Sequence, residues 1–364
     1  MSIRVLHVID HLGFGGAPMV VKNIVERLDS DRFETIVCEL RTNPKALPMR
    51  TELISLMSAK YNPFAFLAIA KLCKERKIDI IHAHLQKSVV SCLIASFFCN
   101  AKIIIHEHGP IFRSGTGCIY RLLLKILGSK ATVAIANSQA TKAALSKTTA
   151  LGEKSIFVVG NFIDFARFDP ALYHRDKARE LLNIAPDRVV VGFVGRLDEC
   201  KGIDLLIHAA AILSREDQRY HFVIVGEGSQ KVKLLSMVQQ LGLSGKVIFT
   251  GLCEKPEEIV MAFDVAVIPS KREAFGIAAV EFMRMKIPVV ASAIGGLVEV
   301  VQHDKTGILL DELNAGGIAG SIARVASNDS LRKRLTNEAE VFSMQFDGRE
   351  QLTQITDIYE KLCS

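Results

Sequence analysis

The segment PSKREAFGIAAVEFMRMKIPVV, Pro269–Val290, decides how the whole chain reads. Apolar runs flank and close it, Val265–Ile268 before the loop and Pro288–Ala291 at its end, each with the length and β-branched content of a buried strand. Between them Glu273 and Glu281 bracket a Phe-Gly-Ile turn and the first turns of a helical pattern. A strand–loop–helix–strand unit of this kind builds a parallel sheet. Carboxylates at the mouth of such a unit are costly in a core but suit the hydroxyls of a sugar. An ordinary amphipathic helix with two solvated glutamates is the competing reading.

Working outward, the same alternation runs through most of the chain. Strand patterns fall at Arg4–Ile9, Glu34–Leu40, Ile78–Ala83, Lys102–Glu107, Thr132–Ala136 and Ser155–Val159, with helical patterns between them. The pattern then restarts with strands at Val189–Gly195, His221–Gly226, Val247–Gly251, Val265–Pro269 and Val289–Ser292. The polar stretch Asp164–Pro186 separates the two halves. The expected division is therefore a first doubly wound domain over 1–165, a second over 166–346, and a final helix over 347–364 that can cross back to the first. Two such domains are expected to face a cleft at the carboxyl ends of their strands, where ligands of open α/β sheets bind.

A chain of 364 residues is long for one core, and 49% hydrophobic against 23% charged residues excludes disorder. No apolar run reaches the ~18 residues of a spanning helix. The start, MSIRVLHVID, enters a strand pattern directly and lacks the features of a secretory signal. The eight cysteines are scattered with no C-x-x-C pair, which indicates neither zinc nor a disulfide framework, and points to a reducing, cytoplasmic compartment. The net charge of +6 is uneven, +10 over residues 1–160 and −4 over 161–364. With no Trp and no basic helix interleaved with aromatics, nucleic acid is not the expected partner; an anionic membrane surface or a phosphate-bearing acceptor fits the basic half better.

Four further segments carry chemistry. Arg196 and Lys201, in VGFVGRLDECKG, follow a strand, and two cations on one βα loop can grip a diphosphate; two solvated surface charges are the alternative. Phe275, Gly276 and Ile277 open a helix whose N-terminus offers backbone N–H groups to an anion, with Glu281 about one turn inside. Gly13-Phe-Gly15-Gly16-Ala17-Pro18 follows the first strand but puts Pro18 where a dinucleotide fingerprint needs its third glycine, so a tight βα turn explains it equally well. His106 and His108 end one strand and His82 and His84 another; no ligand set of fixed spacing emerges, and His108 is the one candidate for substrate contact. The helix around Tyr120, with Arg121, Lys125, and Arg113 and Lys130 nearby, fits either an anionic bilayer or a core helix with solvated cations.

Together these pieces resemble the family 4 retaining glycosyltransferases of the GT-B fold. The carrying stretches are GGAP at 15–18, IIHEHGP at 104–110, VVGNFID at 158–164, VGRLDECKGID at 194–204, VIVGEG at 223–228, VIFTGL at 247–252, the segment at 269–292, and GGLVEVVQHDKTGILL at 295–310. The resemblance implies that Arg196 and Lys201 bind the donor diphosphate, that Glu273 contacts the sugar and Glu281 the ribose, and that Phe275, Gly276 and Ile277 donate N–H groups. It implies that Gly15 and Gly16 approach donor phosphate and acceptor, that His108 lies near the transferred sugar, that the base sits near Gly226 and Leu252, and that Gly195 belongs to the donor-binding residues. The donor would be a UDP- or GDP-sugar, the acceptor a glycan or lipid-linked hydroxyl, with no metal cofactor. The chain departs from the family pattern at Ala17-Pro18, at Phe162 after Asn161 where glycine is usual, and at Lys286-Ile287 where a small residue or glycine is usual. A nucleotide-sugar epimerase of similar fold, a nicotinamide-dependent oxidoreductase using Gly13–Gly16, and a non-catalytic sugar-binding protein are the alternatives.

Overall fold

Thirteen parallel strands arranged in two separate sheets organise the chain in the computed structural model, which describes residues 2–13, 15–43, 46–56, 64–109 and 116–364. Phe14, Pro110 and Arg113, which the sequence reading used, lie outside the described residues. Two units form, one of residues 1–162 with 348–364 and one of residues 163–347. The divisions thus fall three residues before and one residue after those read from the sequence.

The first unit runs β1 (Ile3–Ile9), α1 (Gly16–Arg27), β2 (Phe33–Glu39), β3 (Glu52–Ser55), α2 (Ala65–Glu75), β4 (Ile80–His84), α3 (Gln86–Ala95), β5 (Lys102–Glu107), α4 (Thr116–Leu127), β6 (Val133–Ala136), α5 (Gln139–Thr148) and β7 (Ile156–Val158). Its sheet has the order β3-β2-β1-β4-β5-β6-β7. The order reverses between β1 and β4, and that reversal opens a crevice at the carboxyl edge. Alternation along β1 sends Leu6 and Val8 into the core under α2 and α3, while Val5, His7 and Ile9 face the other side of the sheet.

The second unit runs α6 (Arg175–Leu181), β8 (Val189–Val194), α7 (Ile203–Glu216), β9 (Tyr220–Val225), α8 (Lys231–Gln240), β10 (Val247–Gly251), α9 (Pro256–Val260), β11 (Val265–Ile268), α10 (Ile277–Arg284), β12 (Val289–Ser292), α11 (Leu297–Val300), β13 (Ile308–Leu310), α12 (Ala315–Ala326) and α13 (Asp329–Ser343). Its strand order is β10-β9-β8-β11-β12-β13, reversing between β8 and β11. Val191 and Phe193 enter one core and Val190 the core on the opposite face, as a sheet covered on both sides requires.

The last helix, α14 (Arg349–Cys363), belongs to the first unit and packs on β1. Periodicity alone left it unassigned because its apolar stripe of Ile355, Ile358 and Tyr359 fits any sheet face. The stretch read as a polar boundary, Asp164–Pro186, contains α6, whose Ala178 is buried in the second unit's core with Leu182 and Ile184. β3, β13, α12 and α13 were not read from the sequence. β3 is a four-residue edge strand with little burial, and β13 has only three residues, too short to show alternation.

Candidate active site

The second unit brings its sequence-predicted residues to the carboxyl edge of one sheet, on both sides of the β8/β11 reversal. Lys201 stands on the loop after β8 and Glu273 on the loop after β11, and Lys201 Nζ lies 2.6 Å from Glu273 Oε2. Their side chains are only 20% and 14% exposed, so the pair is largely withdrawn from water. Ser270, fully buried, donates its hydroxyl to the same Glu273 oxygen at 3.2 Å. The close approach of the two loops depends on Gly202, at φ +68°: a Cβ there would fall 1.9 Å from the Pro269 carbonyl oxygen. Arg196 is exposed and paired with Asp198 at 2.9 Å, so its long side chain is free to swing onto an incoming anion while remaining solvated.

Gly276 caps α10 at φ +93°, the left-handed region that side chains avoid, and a Cβ there would meet Leu297 at 2.4 Å. Phe275, Gly276 and Ile277 therefore stand at the N-terminus of an eight-residue helix, where the dipole favours negative charge. Glu281, one turn on, is half-buried, and burial pushes its carboxyl up to about 7, opposed by Arg167 and reinforced by Glu257. Arg167 donates to Glu257 at 2.8 Å and to the Glu254 carbonyl at 2.8 Å.

The remaining calls line the same edge in spatial order. Leu252 follows β10 and is 42% exposed, Gly226 follows β9, and Gly195 follows β8. Gly226 N–H donates to the Gly251 carbonyl at 2.9 Å, Gly195 N–H to the Val225 carbonyl at 3.0 Å, and a Cβ on Gly226 would sit 1.9 Å from the Gly195 oxygen. Leu252, Gly226, Gly195 with Arg196, and Glu273 with Gly276 thus form one row along four adjacent strand ends. Arg167, Glu257 and Ser270 belong to this neighbourhood and were not read from the sequence. They sit in a 3₁₀-flanked loop, a five-residue helix and a strand end, where no periodicity marks them.

In the first unit Gly15 precedes α1 and Gly16 is its first residue. At the β1/β4 reversal Asp10 accepts from Ser88 N–H at 2.8 Å and from its hydroxyl at 2.7 Å, clamping the end of β1 to the start of α3. Neither residue was singled out in the sequence. Beneath this edge five histidines share one face of the sheet. His7 and His82 are register partners on β1 and β4, as are His84 and His106 on β4 and β5, and His108 follows β5. Two hydrogen-bonded rows run through them. Tyr359 Oη lies 2.6 Å from His82 Nδ1, whose Nε2 lies 3.1 Å from His106 Nδ1. His7 Nδ1 lies 3.1 Å from His84 Nε2, whose Nδ1 lies 2.9 Å from His108 Nε2.

Burial drives all five rings toward the neutral form, with His7 and His108 held down to about 3. A row of three neutral imidazoles carries three N–H groups for two N···N bonds. One end must therefore be an unpaired donor and the other an unpaired acceptor. Those ends are His7 Nε2 and His108 Nδ1, both buried without a partner among the described residues. Because His84 occupies Nε2 of His108, only Nδ1 is left to meet a substrate.

Two sets, His7/His82/His84 and His84/His106/His108, bring ring nitrogens within 4.8 Å of one another, close enough to hold a metal ion. A cation in either set would have to replace the N···N bonds just described.

Comparison with known proteins agrees with this architecture. Residues 174–342 match the glycosyl transferases group 1, and residues 14–167 match Glycosyltransferase Family 4. The chain is 36% identical over 193 residues to an uncharacterized glycosyltransferase of Methanocaldococcus jannaschii, MJ1607, a match over 52% of this chain and 49% of that one. It is 31% identical over 243 residues to a D-inositol 3-phosphate glycosyltransferase of Corynebacterium urealyticum, over 64% of this chain and 57% of that one. The chain thus spans about half the length of these curated relatives. The Anabaena protein Alr3699/HepE, solved in complex with UDP and glucose, superposes with a TM-score of 0.84 at 23% identity, over 98% of this chain and 99% of that one, which shows the fold to be GT-B. With both halves matched in order and on that fold, the chain belongs to the family 4, group 1 glycosyltransferases.

Proposed function

We propose that the protein transfers a sugar, with retention of anomeric configuration, from a UDP- or GDP-sugar to a hydroxyl of a glycan or lipid-linked acceptor, in surface polysaccharide or glycolipid synthesis. The observation that carries this reading is the Lys201–Glu273 pair at the β8/β11 reversal, beside the Gly276 cap of α10. In the absence of donor the two side chains neutralise each other. An arriving diphosphate gives Lys201 and Arg196 a better partner, and Glu273 is then released to accept hydrogen bonds from sugar hydroxyls. The row Leu252–Gly226–Gly195–Glu273 has the extent of an elongated ligand with its base at β10 and its sugar at β11. The solved complex of HepE with UDP and glucose supports a uridine nucleotide as the first donor to test.

As the glycosidic bond breaks, negative charge develops on the leaving diphosphate. Lys201, Arg196 and the α10 N-terminus stabilise it there, and these fixed cations and dipoles supply the role a divalent metal plays elsewhere. Glu273, tied to Lys201 and Ser270, is placed to orient the sugar rather than to attack it. Attack then comes from the acceptor hydroxyl on the face the phosphate leaves, with that phosphate taking the proton. Thermal unfolding with UDP, GDP and their sugars tests the donor site: a ligand bound by the folded state raises the midpoint. Stabilisation by none of them overturns the reading, and a product of inverted anomeric configuration by proton NMR overturns retention.

The acceptor side rests on α4. Ile119, Leu122 and Ile126, spaced along one helix face, are 61%, 58% and 64% exposed, with Arg121 and Lys125 on the same helix. Lys130 Nζ sits 4.4 Å from the centre of the Phe97 ring, and Phe97 and Phe98 are themselves exposed. No helix among the described residues is long and apolar enough to cross a membrane. An apolar stripe edged by cations fits the surface of an anionic bilayer, on the cytoplasmic side. Flotation with anionic vesicles that Leu122→Asp abolishes is the expected result, and equal binding to neutral vesicles would remove the argument.

A further inference from the structure

Two buried residues stand behind His108 in its hydrogen-bonded row and have no part in the sugar-transfer chemistry drawn above. His84, on β4, reaches His108 Nε2 through Nδ1 at 2.9 Å and His7 Nδ1 through Nε2 at 3.1 Å. With one proton on each ring, only two orders satisfy both bonds. In the first, every ring carries its proton on Nδ1: His7 donates to His84, His84 donates to His108, and His108 Nδ1–H is left free. In the second, every ring carries it on Nε2: His108 donates inward, and the free donor is His7 Nε2–H. The two ends are not equivalent. His7 is 0% exposed, on the face of β1 that packs against Val21 and Val25 of α1, whereas His108 is half-buried beyond the end of β5. A buried N–H without an acceptor is the rarer and costlier defect, and α1 already carries one in Asn23 Nδ2. The unpaired donor is therefore better placed at His108, where a ligand oxygen can reach it.

We infer that His7 and His84 are positioning residues that hold His108 as an Nδ1–H donor to a substrate oxygen. The substrate in this statement rests on the sugar-transfer reading; the tautomer rests on the row alone. The order holds only while the rings are neutral, since a protonated member would donate from both nitrogens, and burial keeps all three neutral. An N–H at this position recognises an oxygen lone pair and turns away an N–H group or a cation. It also takes His108 out of base chemistry. The one lone pair of its ring lies on Nε2 and is engaged by His84, so the imidazole has no site for a proton arriving from substrate. The acceptor hydroxyl must then give its proton to another group, which accords with its transfer to the leaving phosphate. His84 sets this behaviour without touching the substrate, as the outer partner of a ligating histidine fixes its tautomer.

Nitrogen NMR of the imidazole rings in the full, isotope-labelled chain reads the tautomers directly, because a ring nitrogen with a proton resonates far from one without. Near neutral pH, a protonated Nδ1 and a bare Nε2 are expected on His7, His84 and His108 alike. A proton on Nε2 of any of the three overturns the proposal. His84→Phe removes the donor to His108 Nε2, and His108 is then expected to gain an Nε2–H population. His84→Asn keeps an amide N–H in the place of Nδ1–H and is expected to return His108 to the Nδ1–H form. An unchanged, pure Nδ1–H signal of His108 in His84→Phe would show that the row does not set the tautomer and would overturn the positioning role. The wild-type spectrum stands even where a variant fails to fold. Lack of thermal stabilisation by UDP, GDP and their sugars would remove the substrate and leave the tautomer order intact, so the two failures are told apart.

Discussion

Lys201 and Glu273, 72 residues apart in the chain, meet at 2.6 Å across the reversal of the second sheet. The contact joins two loops that each read ambiguously in isolation. It also sets the electrostatics of the unliganded site, since neither charge has to face a low-dielectric wall alone.

Removing either member, or Arg196, should therefore leave a folded protein with a damaged reaction. Lys201→Ala, Arg196→Ala and Glu273→Ala are each expected to lower turnover by about 10²–10³-fold, the usual effect of deleting one group that stabilises transition-state charge. The first two should also lose the thermal stabilisation given by UDP or GDP. Near-normal turnover in all three would remove the site.

Glu281 supplies a pH test with a definite sign. Its folded carboxyl is raised from 4.5 to about 7, so the folded state binds a proton that the unfolded chain releases. Its contribution is most favourable below about 4.5 and is lost as pH rises to 7. Glu281→Gln should therefore gain stability relative to wild type on going from pH 5 to pH 8, by about 1–2 kcal/mol. A pH-independent difference between the two melting curves would contradict this. Ribose binding runs the other way, because the ionised carboxylate is the better acceptor, so wild-type affinity for UDP should rise through pH 7.

The five buried histidines act in the opposite sense to Glu281. Their folded values lie below 6.5, so the unfolded chain binds more protons, and stability falls as pH drops below about 6.5. Glu107, also raised to about 7, offsets part of this. Five groups against two carboxyls leave a net loss, read as a falling melting temperature between pH 6.5 and 5. Tyr359→Phe removes the hydroxyl that His82 Nδ1 holds at 2.6 Å and should cost about 1–2 kcal/mol at neutral pH.

Lys286 marks a local strain. Its φ of +57° lies in the left-handed region, and its ammonium reaches Glu340 at 3.0 Å near the surface. Glycine fits that backbone without penalty, so Lys286→Gly should stabilise the second unit by about 0.5 kcal/mol after the loss of an exposed ion pair. A loss of more than about 1 kcal/mol would show that the pair outweighs the strain.

The departures from the family pattern now have physical content. Lys286 takes the left-handed position that a glycine commonly fills. Phe162, where glycine is usual, is buried and lies against Gly348, where a Cβ would fall 2.4 Å from its ring. The space was made by a glycine elsewhere in the chain. Arg27 stands 5.6 Å above the same ring.

By itself the sequence determined the two α/β patterns, the parallel sheets, and the loops that hold Arg196, Lys201, Glu273 and Gly276. Strand and helix periods are local, and a βα loop always ends on the carboxyl edge, so residue type and position were enough. Tertiary structure alone decided what meets what. His7 reads as one polar residue in an apolar strand until register sets it opposite His82 and within reach of His84. Arg167 and Glu257 join Glu281 only through chain reversal, and α14 joins the first sheet because Tyr359 finds His82 there. Hydrogen bonds and burial between distant segments leave no periodic trace, because the spacing that produces them is set by the fold and not by the chain.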